Sequence, residues 1–166
     1  ESAASRTRIS YLKFDASAVS GTINSATLRL TEGTDVSSGA MTIRVFQGLS
    51  NSWDEATLTG ATAPAKGAQV AVLTDDITEG EVKDFDVSSF VTGAGTYTFI
   101  LEADSSTLDL EFSSSEGAAP PELILESTVS PPAAAIDSPT DGAQFSIEDP
   151  ILVNATASSP SGSVAS

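Results

Sequence analysis

The stretch SATLRLT, residues 25–31, alternates without a break between apolar and polar side chains. Its apolar members Ala26, Leu28 and Leu30 fall on one side of an extended chain, and the polar members fall on the other. A period of two is typical of a strand in an antiparallel sheet with one buried and one solvated face. This stretch therefore predicts a half-buried β-strand and sets the fold class.

The same alternation recurs through most of the chain. Four further runs show it, at residues 41–45, 96–102, 107–113 and 122–126. Glycine-containing turn signals separate the runs, and no stretch of ten or more residues has a helical period with caps. We therefore expect an all-β protein, with about eight antiparallel strands packed as a β-sandwich of the jelly-roll type.

The composition changes near residue 129. Residues 129–132 include the pair Pro131-Pro132, and two adjacent prolines cannot donate hydrogen bonds to a sheet. The sequence thus predicts a first domain over residues 1–128, a proline linker over 129–132 and part of a second β-sandwich over 133–166. In that second part, residues 151–157 read as a strand. About 35 residues are too few to close such a core alone.

Composition and charge exclude several classes of function. The chain has 166 residues, with 7 Lys and Arg against 23 Asp and Glu, and no Cys or His. Disulfides, Cys-type zinc sites and histidine-dependent catalytic triads are therefore absent. The net charge of -16 opposes binding to nucleic acid. No apolar run approaches the 18 residues or so that membrane insertion requires.

Five motifs in a fixed order resemble one known family. They are YLKFD at residues 11–15, SATLRL at 25–30, WDEATLT at 53–59, FDVS at 85–88 and FSSSE at 112–116. Over residues 8–127 the chain resembles the DNRLRE-type β-sandwich modules, which overlap a family of alginate-binding carbohydrate-binding modules. The resemblance implies a non-catalytic jelly roll with a structural calcium, and it implies that the first strands of the family are missing here. Residues 136–164 resemble the opening of a bacterial Ig-like repeat.

Three basic residues are candidates for binding an acidic ligand. Lys13, Arg29 and Arg44 all occupy polar positions of predicted strands. If those strands share a sheet, the three side chains line one positive groove, and arginine forks bind carboxylates in bidentate fashion. The alternative is that they form cross-strand ion pairs with acidic neighbours. Those neighbours would be Asp109, Glu111 or Glu102.

Trp53 and Tyr11 are the aromatic candidates for a sugar-binding surface. An exposed ring stacks on the C–H groups of a sugar, so Trp53 is placed with the predicted ligand-binding residues. The alternative is that Trp53 plugs one end of the hydrophobic core, and that Tyr11 belongs to the core or its rim. The sequence leaves both alternatives open.

A dense acidic stretch is the candidate calcium site. Asp75, Asp76, Asp84 and Asp86 supply the hard oxygen ligands that calcium requires. The same stretch is also consistent with a solvated acidic loop. Asp15, Glu55 and Glu116 are alternative ligands within the motifs of the resembled family.

Three functions compete at this point. The leading one is a non-catalytic module for an extracellular polysaccharide, acidic ones such as alginate included. The alternative is a structural or adhesive unit of a bacterial surface array or filament, in which residues 133–157 pair with strands of neighbouring polypeptide. A two-carboxylate glycosidase is the weakest, because no spacing singles out a pair. The Ser- and Thr-rich, Lys-poor composition favours a secreted or cell-surface bacterial protein.

Overall fold

The computed structural model describes residues 9–36, 39–104, 108–148 and 150–159. Strands dominate these residues, and the only named helical element among them is one turn of 3₁₀ helix at Glu55–Thr57. The strands are β1 Ser10–Asp15, β2 Thr22–Thr31, β3 Gly39–Gly48, β4 Lys66–Ile77, β5 Val82–Asp86, β6 Thr96–Ala103, β7 Glu122–Thr128, β8 Ala133–Ser138 and β9 Asn154–Ser158.

Seven of these strands form two packed sheets. A four-stranded sheet has the order β1-β6-β3-β4, and a three-stranded sheet has the order β5-β2-β7. Every pair of neighbours in both sheets is antiparallel. The predicted all-β antiparallel sandwich is therefore confirmed.

The core lies between the two sheets and follows the predicted alternation. In β2, Ala26, Leu28 and Leu30 are buried, and in β3 Ile43 and Val45 are buried too. Phe85 from β5 and Phe99 from β6 complete the centre of the same cluster. Burial of these side chains is the main force that holds the sheets together.

Strand β6 departs from the prediction on its polar side. Tyr97, Phe99 and Leu101 pack into the core as expected, but Thr98 and Ile100 on the opposite side are also buried. The chain between β3 and β4 lies over that side and contacts Thr98. Because this cover comes from a distant part of the sequence, local alternation could not predict it.

The strand predicted at residues 107–113 is wrong for the described part of that run, and Thr107 lies outside the described residues. Instead of a strand, the structure has a single bridge between Glu32 and Phe112. Strand β7 already pairs with residues 22–29 of β2, so only the end of β2 is free for this segment. Two backbone bonds use that end, from Gly33 N to Glu111 O and from Ser113 N to Thr31 O.

The residues after the predicted linker form a separate two-stranded sheet. β8 pairs with β9 in antiparallel fashion, and neither pairs with the sandwich in the described chain. The strand predicted at residues 151–157 begins only at Asn154. The two strands thus pair with each other, whereas pairing of residues 133–157 with another polypeptide stays a prediction. The predicted Ig-like fold also stays one, and residues 160–166 lie outside the described part.

Candidate functional site

Trp53 lies on the outer face of the four-stranded sheet, defined here as the side turned away from the core. Its indole Nε1 donates a hydrogen bond to Thr98 Oγ1 at 2.9 Å. The Thr98 hydroxyl donates in turn to Asn51 Oδ1 at 2.8 Å, and Asn51 Nδ2 donates to Thr96 O at 2.6 Å. Trp53 is half-buried and is not part of the core cluster. The indole is therefore fixed on the outside of β6.

The local turn after Trp53 has a clear sequence cause. Asp54 caps the 3₁₀ turn at Glu55–Thr57, because its carboxylate accepts a hydrogen bond from Ala56 N at 2.9 Å. Aspartate is a favoured residue at this position, since its side chain satisfies a free backbone N–H. The motif WDEATLT thereby holds Trp53 at the start of an ordered turn.

Two side chains of β1 complete what we call the Trp53 cluster, formed by Tyr11, Lys13 and Trp53. The rings of Tyr11 and Trp53 meet edge to face, with centroids 6.2 Å apart. Lys13 Nζ lies 4.8 Å from the Trp53 ring centroid, a cation–π contact, and also donates to Trp53 O. An aromatic surface and a cation thus stand side by side.

A second group, the Lys66 cluster, consists of Arg44, Phe46, Lys66 and Glu102 on the same outer face. Lys66 Nζ lies 4.5 Å from the centroid of the Phe46 ring and bonds both carboxylate oxygens of Glu102, at 2.8 and 2.7 Å. Arg44 forms an ion pair with Asp104 at 3.3 Å. Cross-strand ion pairs are therefore present at this group, but with other partners than predicted: Arg44 pairs with Asp104, and Glu102 pairs with Lys66.

Trp53 also stands between two concave surfaces. A cleft of about 500 Å³ runs along β1 and is lined by Tyr11, Lys13, Trp53 and residues of the 112–115 segment. It also reaches apolar side chains on the core side, Leu30 and Leu101 among them. A second pocket of about 430 Å³ is lined by Ser52, Trp53, Asp54, Thr57 and Thr62. Hydroxyl and carboxylate groups beside an aromatic ring are the groups that bind sugar hydroxyls.

The single groove expected from Lys13, Arg29 and Arg44 is wrong. Lys13 and Arg44 share the four-stranded sheet, whereas Arg29 lies on β2 in the other sheet. There Arg29 binds Asp84 through two hydrogen bonds of 2.8 Å. These hydrogen bonds lower the pKa of Asp84. Arg29 is thus separated from the Trp53 cluster by the core.

The four predicted calcium ligands are not gathered at one point. Asp84 binds Arg29, and Asp86 accepts from Ser88 Oγ at 2.7 Å. Asp75 binds the buried Lys83 at 2.8 Å, and the hydrogen bond from Lys83 lowers the pKa of Asp75. Asp76 contributes its carbonyl oxygen to Lys83. In the chain as described, no group of three or more carboxylates is arranged to hold a metal ion, and calcium binding stays a prediction.

Several residues of the outer face were missed by the sequence reasoning. Lys66 and Phe46 belong to no motif, although the scarcity of basic residues was a signal for Lys66. Thr98 and Asn51 position Trp53, and only the packing of the 49–65 segment reveals this. Glu32 is also unexpected, because it is buried and its Oε1 has no hydrogen-bond partner among the described residues.

A β-sandwich that presents aromatic rings and cations on one sheet face has the architecture of a carbohydrate-binding module. The model of carbohydrate-binding module family 96 matches residues 1–127, and the chain belongs to this family. The resemblance to carbohydrate-binding modules is thus confirmed, while the DNRLRE and alginate labels stay predictions. Carbohydrate-binding module families are typically non-catalytic.

No curated protein matches the chain. Among the described residues, no helix has the length and apolarity needed to cross a membrane.

Proposed function

We propose that this module binds an acidic polysaccharide such as alginate on the outer face of the four-stranded sheet, and that it catalyses no reaction. The observation that carries the proposal is the Trp53 cluster. The C–H groups of a sugar ring would pack on the indole, and Lys13 would meet a uronate carboxylate beside it. Lys13 donates to Trp53 O but forms none of the salt bridges found among the described residues, so no carboxylate there neutralises its charge.

The distribution of charge supports this face over the opposite one. Lys13, Arg44 and Lys66 lie on the outer face, whereas Lys83 is buried. Arg44 and Lys66 are paired there with Asp104 and Glu102, and Lys13 is in excess of these two pairs. The outer side of the three-stranded sheet exposes Asp84, Asp86, Glu122 and Glu126 around Arg29. An acidic glycan is repelled by that second surface, because the protein field there is negative.

The proposal places the protein outside the cell, as a secreted or surface-bound bacterial module. Carbohydrate-binding module families are usually extracellular, and their polysaccharides occur there. The module would then attach a larger protein to its substrate or matrix.

Isothermal titration of the folded 166-residue chain with alginate, pectin and a neutral glucan tests the proposal. The expected result is binding to the acidic polysaccharides. Parallel titrations with calcium and with a chelator test the prediction that calcium binds at Asp75, Asp76, Asp84 and Asp86. A folded protein that binds none of these glycans would contradict the proposed function.

A second role as a structural unit is favoured by the residues after the sandwich. All of β9 is exposed, and so are large apolar residues such as Ile136, Ile151, Leu152 and Val153. A two-stranded sheet with this exposure is marginal alone, so strands of a neighbouring polypeptide would complete it. Sedimentation velocity tests this role: concentration-dependent assembly is expected, and a strictly monomeric chain would speak against self-assembly.

A further inference from the structure

We infer that Glu102 sets the charge specificity of the outer face by competing, within the chain, with the carboxylate of an acidic glycan. The inference rests on the proposed function and deepens it. It concerns the Lys66 cluster, where the Glu102 carboxylate already binds the Lys66 ammonium group.

The geometry of the pair is well defined. Lys66 projects from β4 and reaches across β3, past Phe46, to Glu102 on β6. Both Glu102 oxygens lie within 2.8 Å of Lys66 Nζ. The Glu102 side chain is only 24% exposed, against 43% for Lys66. The carboxylate is therefore seated against the sheet, and the ammonium group lies at the surface.

Arg44 is the second cation that Glu102 influences. It lies directly opposite Glu102 in the pairing of β3 with β6. Its own partner is Asp104, at 3.3 Å, and a backbone hydrogen bond from Thr42 also holds that carboxylate and lowers its pKa. Arg44 and Lys66 are thus each paired with an acidic residue of the outer face. Lys13, by contrast, forms no salt bridge among the described residues.

The pair between Lys66 and Glu102 is the same interaction that a uronate would make with Lys66. An acidic glycan must therefore displace Glu102 before it gains this contact. A neutral glycan has no carboxylate and forms no ion pair with Lys66. Replacing Glu102 by Gln removes the competing charge and keeps the side-chain shape. Lys66 then remains held over the Phe46 ring, in position to receive the ligand.

The experiment compares Glu102→Gln with Glu122→Gln by calorimetric titration with alginate and with a neutral glucan. Both substitutions replace Glu by Gln, so they change the net charge equally. Glu122 is exposed on β7, in the other sheet, and therefore controls for position. We expect Glu102→Gln to bind alginate about fivefold more tightly, or about 1 kcal/mol, since exposed ion pairs have this strength. Glu122→Gln and all affinities for the neutral glucan should stay unchanged.

The outcomes separate this inference from the proposed function. Alginate binding by the wild type with no gain in Glu102→Gln beyond Glu122→Gln would overturn the inference alone. An equal gain for the neutral glucan would also overturn it. If neither the wild type nor Glu102→Gln binds any glycan, both proposals fall. Thermal unfolding verifies that each variant folds. If Glu102→Gln does not fold, Asp104→Asn repeats the test at Arg44.

Discussion

The indole N–H of Trp53 donates a 2.9 Å hydrogen bond to the buried hydroxyl of Thr98, on the side of β6 that faces away from the core. This contact shows that Trp53 covers the outside of the four-stranded sheet instead of plugging the end of the core. Because Asn51 completes the hydrogen bonds of Thr98, the indole is oriented before any ligand arrives. A pre-oriented ring loses less conformational entropy on binding.

Replacing Trp53 by Ala should weaken binding of the proposed glycan by about 2 kcal/mol, or roughly thirtyfold in Kd. The loss is expected because the ring supplies the stacking surface of the Trp53 cluster. Trp53→Phe is the matched variant, which keeps an aromatic ring but gives up the bond to Thr98, and it should lose less. Calorimetric titration measures both, and equal affinity of Trp53→Ala and wild type would refute this role.

Lys13→Ala and Arg29→Ala remove the same charge from opposite sheets. We expect Lys13→Ala to bind alginate about tenfold more weakly, as for a lost charge-assisted contact. Arg29→Ala should bind as the wild type does, because Arg29 lies across the core and already binds Asp84. A comparable loss in both variants would show that the general field, and not the outer face, controls binding.

Adjacent positions in β2 should differ sharply in stability. Leu28 is fully buried, so Leu28→Ala should lower the free energy of unfolding by about 2–5 kcal/mol. Arg29→Ala removes only an exposed ion pair and should cost less than about 1 kcal/mol. Urea denaturation measures both values, and a reversed order would mean that the register of β2 is wrong.

Glu32 should make the stability of the sandwich depend on pH. Burial raises its pKa above the usual 4.5, although a backbone hydrogen bond from Thr78 opposes this. The fold therefore favours the protonated form of Glu32. The resulting contribution to the free energy of unfolding is fully present below the usual pKa of 4.5, and it is lost as the pH rises through the raised pKa of the folded protein.

Glu32→Gln cannot ionise and should escape this loss. Its unfolding free energy, relative to that of the wild type, should rise as the pH increases from the usual pKa of 4.5 through the raised pKa of Glu32. Asp84→Asn serves as the control of opposite sign. The pKa of Asp84 is lowered by Arg29, so the benefit of Asp84 is present above its usual 3.8 and disappears only in acid. Parallel pH profiles for Glu32→Gln and wild type would contradict the assignment.

Local alternation was sufficient to predict the centre of the sandwich. The buried positions of β2 and β3 follow their period of two, because each strand has one face on the core. The same reasoning failed at residues 108–113, since β7 occupies the adjoining part of β2. It also missed the burial of Thr98, which depends on a contact with Trp53, 45 residues away. Such competition between segments is not visible in a local pattern.

The candidate site was predictable in part for the same reason. The alternation of apolar and polar residues correctly placed Lys13 and Arg44 on the solvent side of their strands. It could not tell which sheet each strand joins. Arg29 was therefore grouped with them wrongly. Glu102 was predicted as an ion-pair partner, yet its partner is Lys66, whose reach across β3 depends on sheet order.

The location of the glycan is the central claim, and NMR titration with alginate oligosaccharides tests it most directly. The chain contains a single tryptophan, so one indole N–H signal reports on Trp53 without ambiguity. We predict that this signal and the amide signals of Tyr11 and Lys13 shift with bound ligand, while those of β2, β5 and β7 stay in place. Shifts confined to the three-stranded sheet, with an unchanged indole signal, would contradict the account.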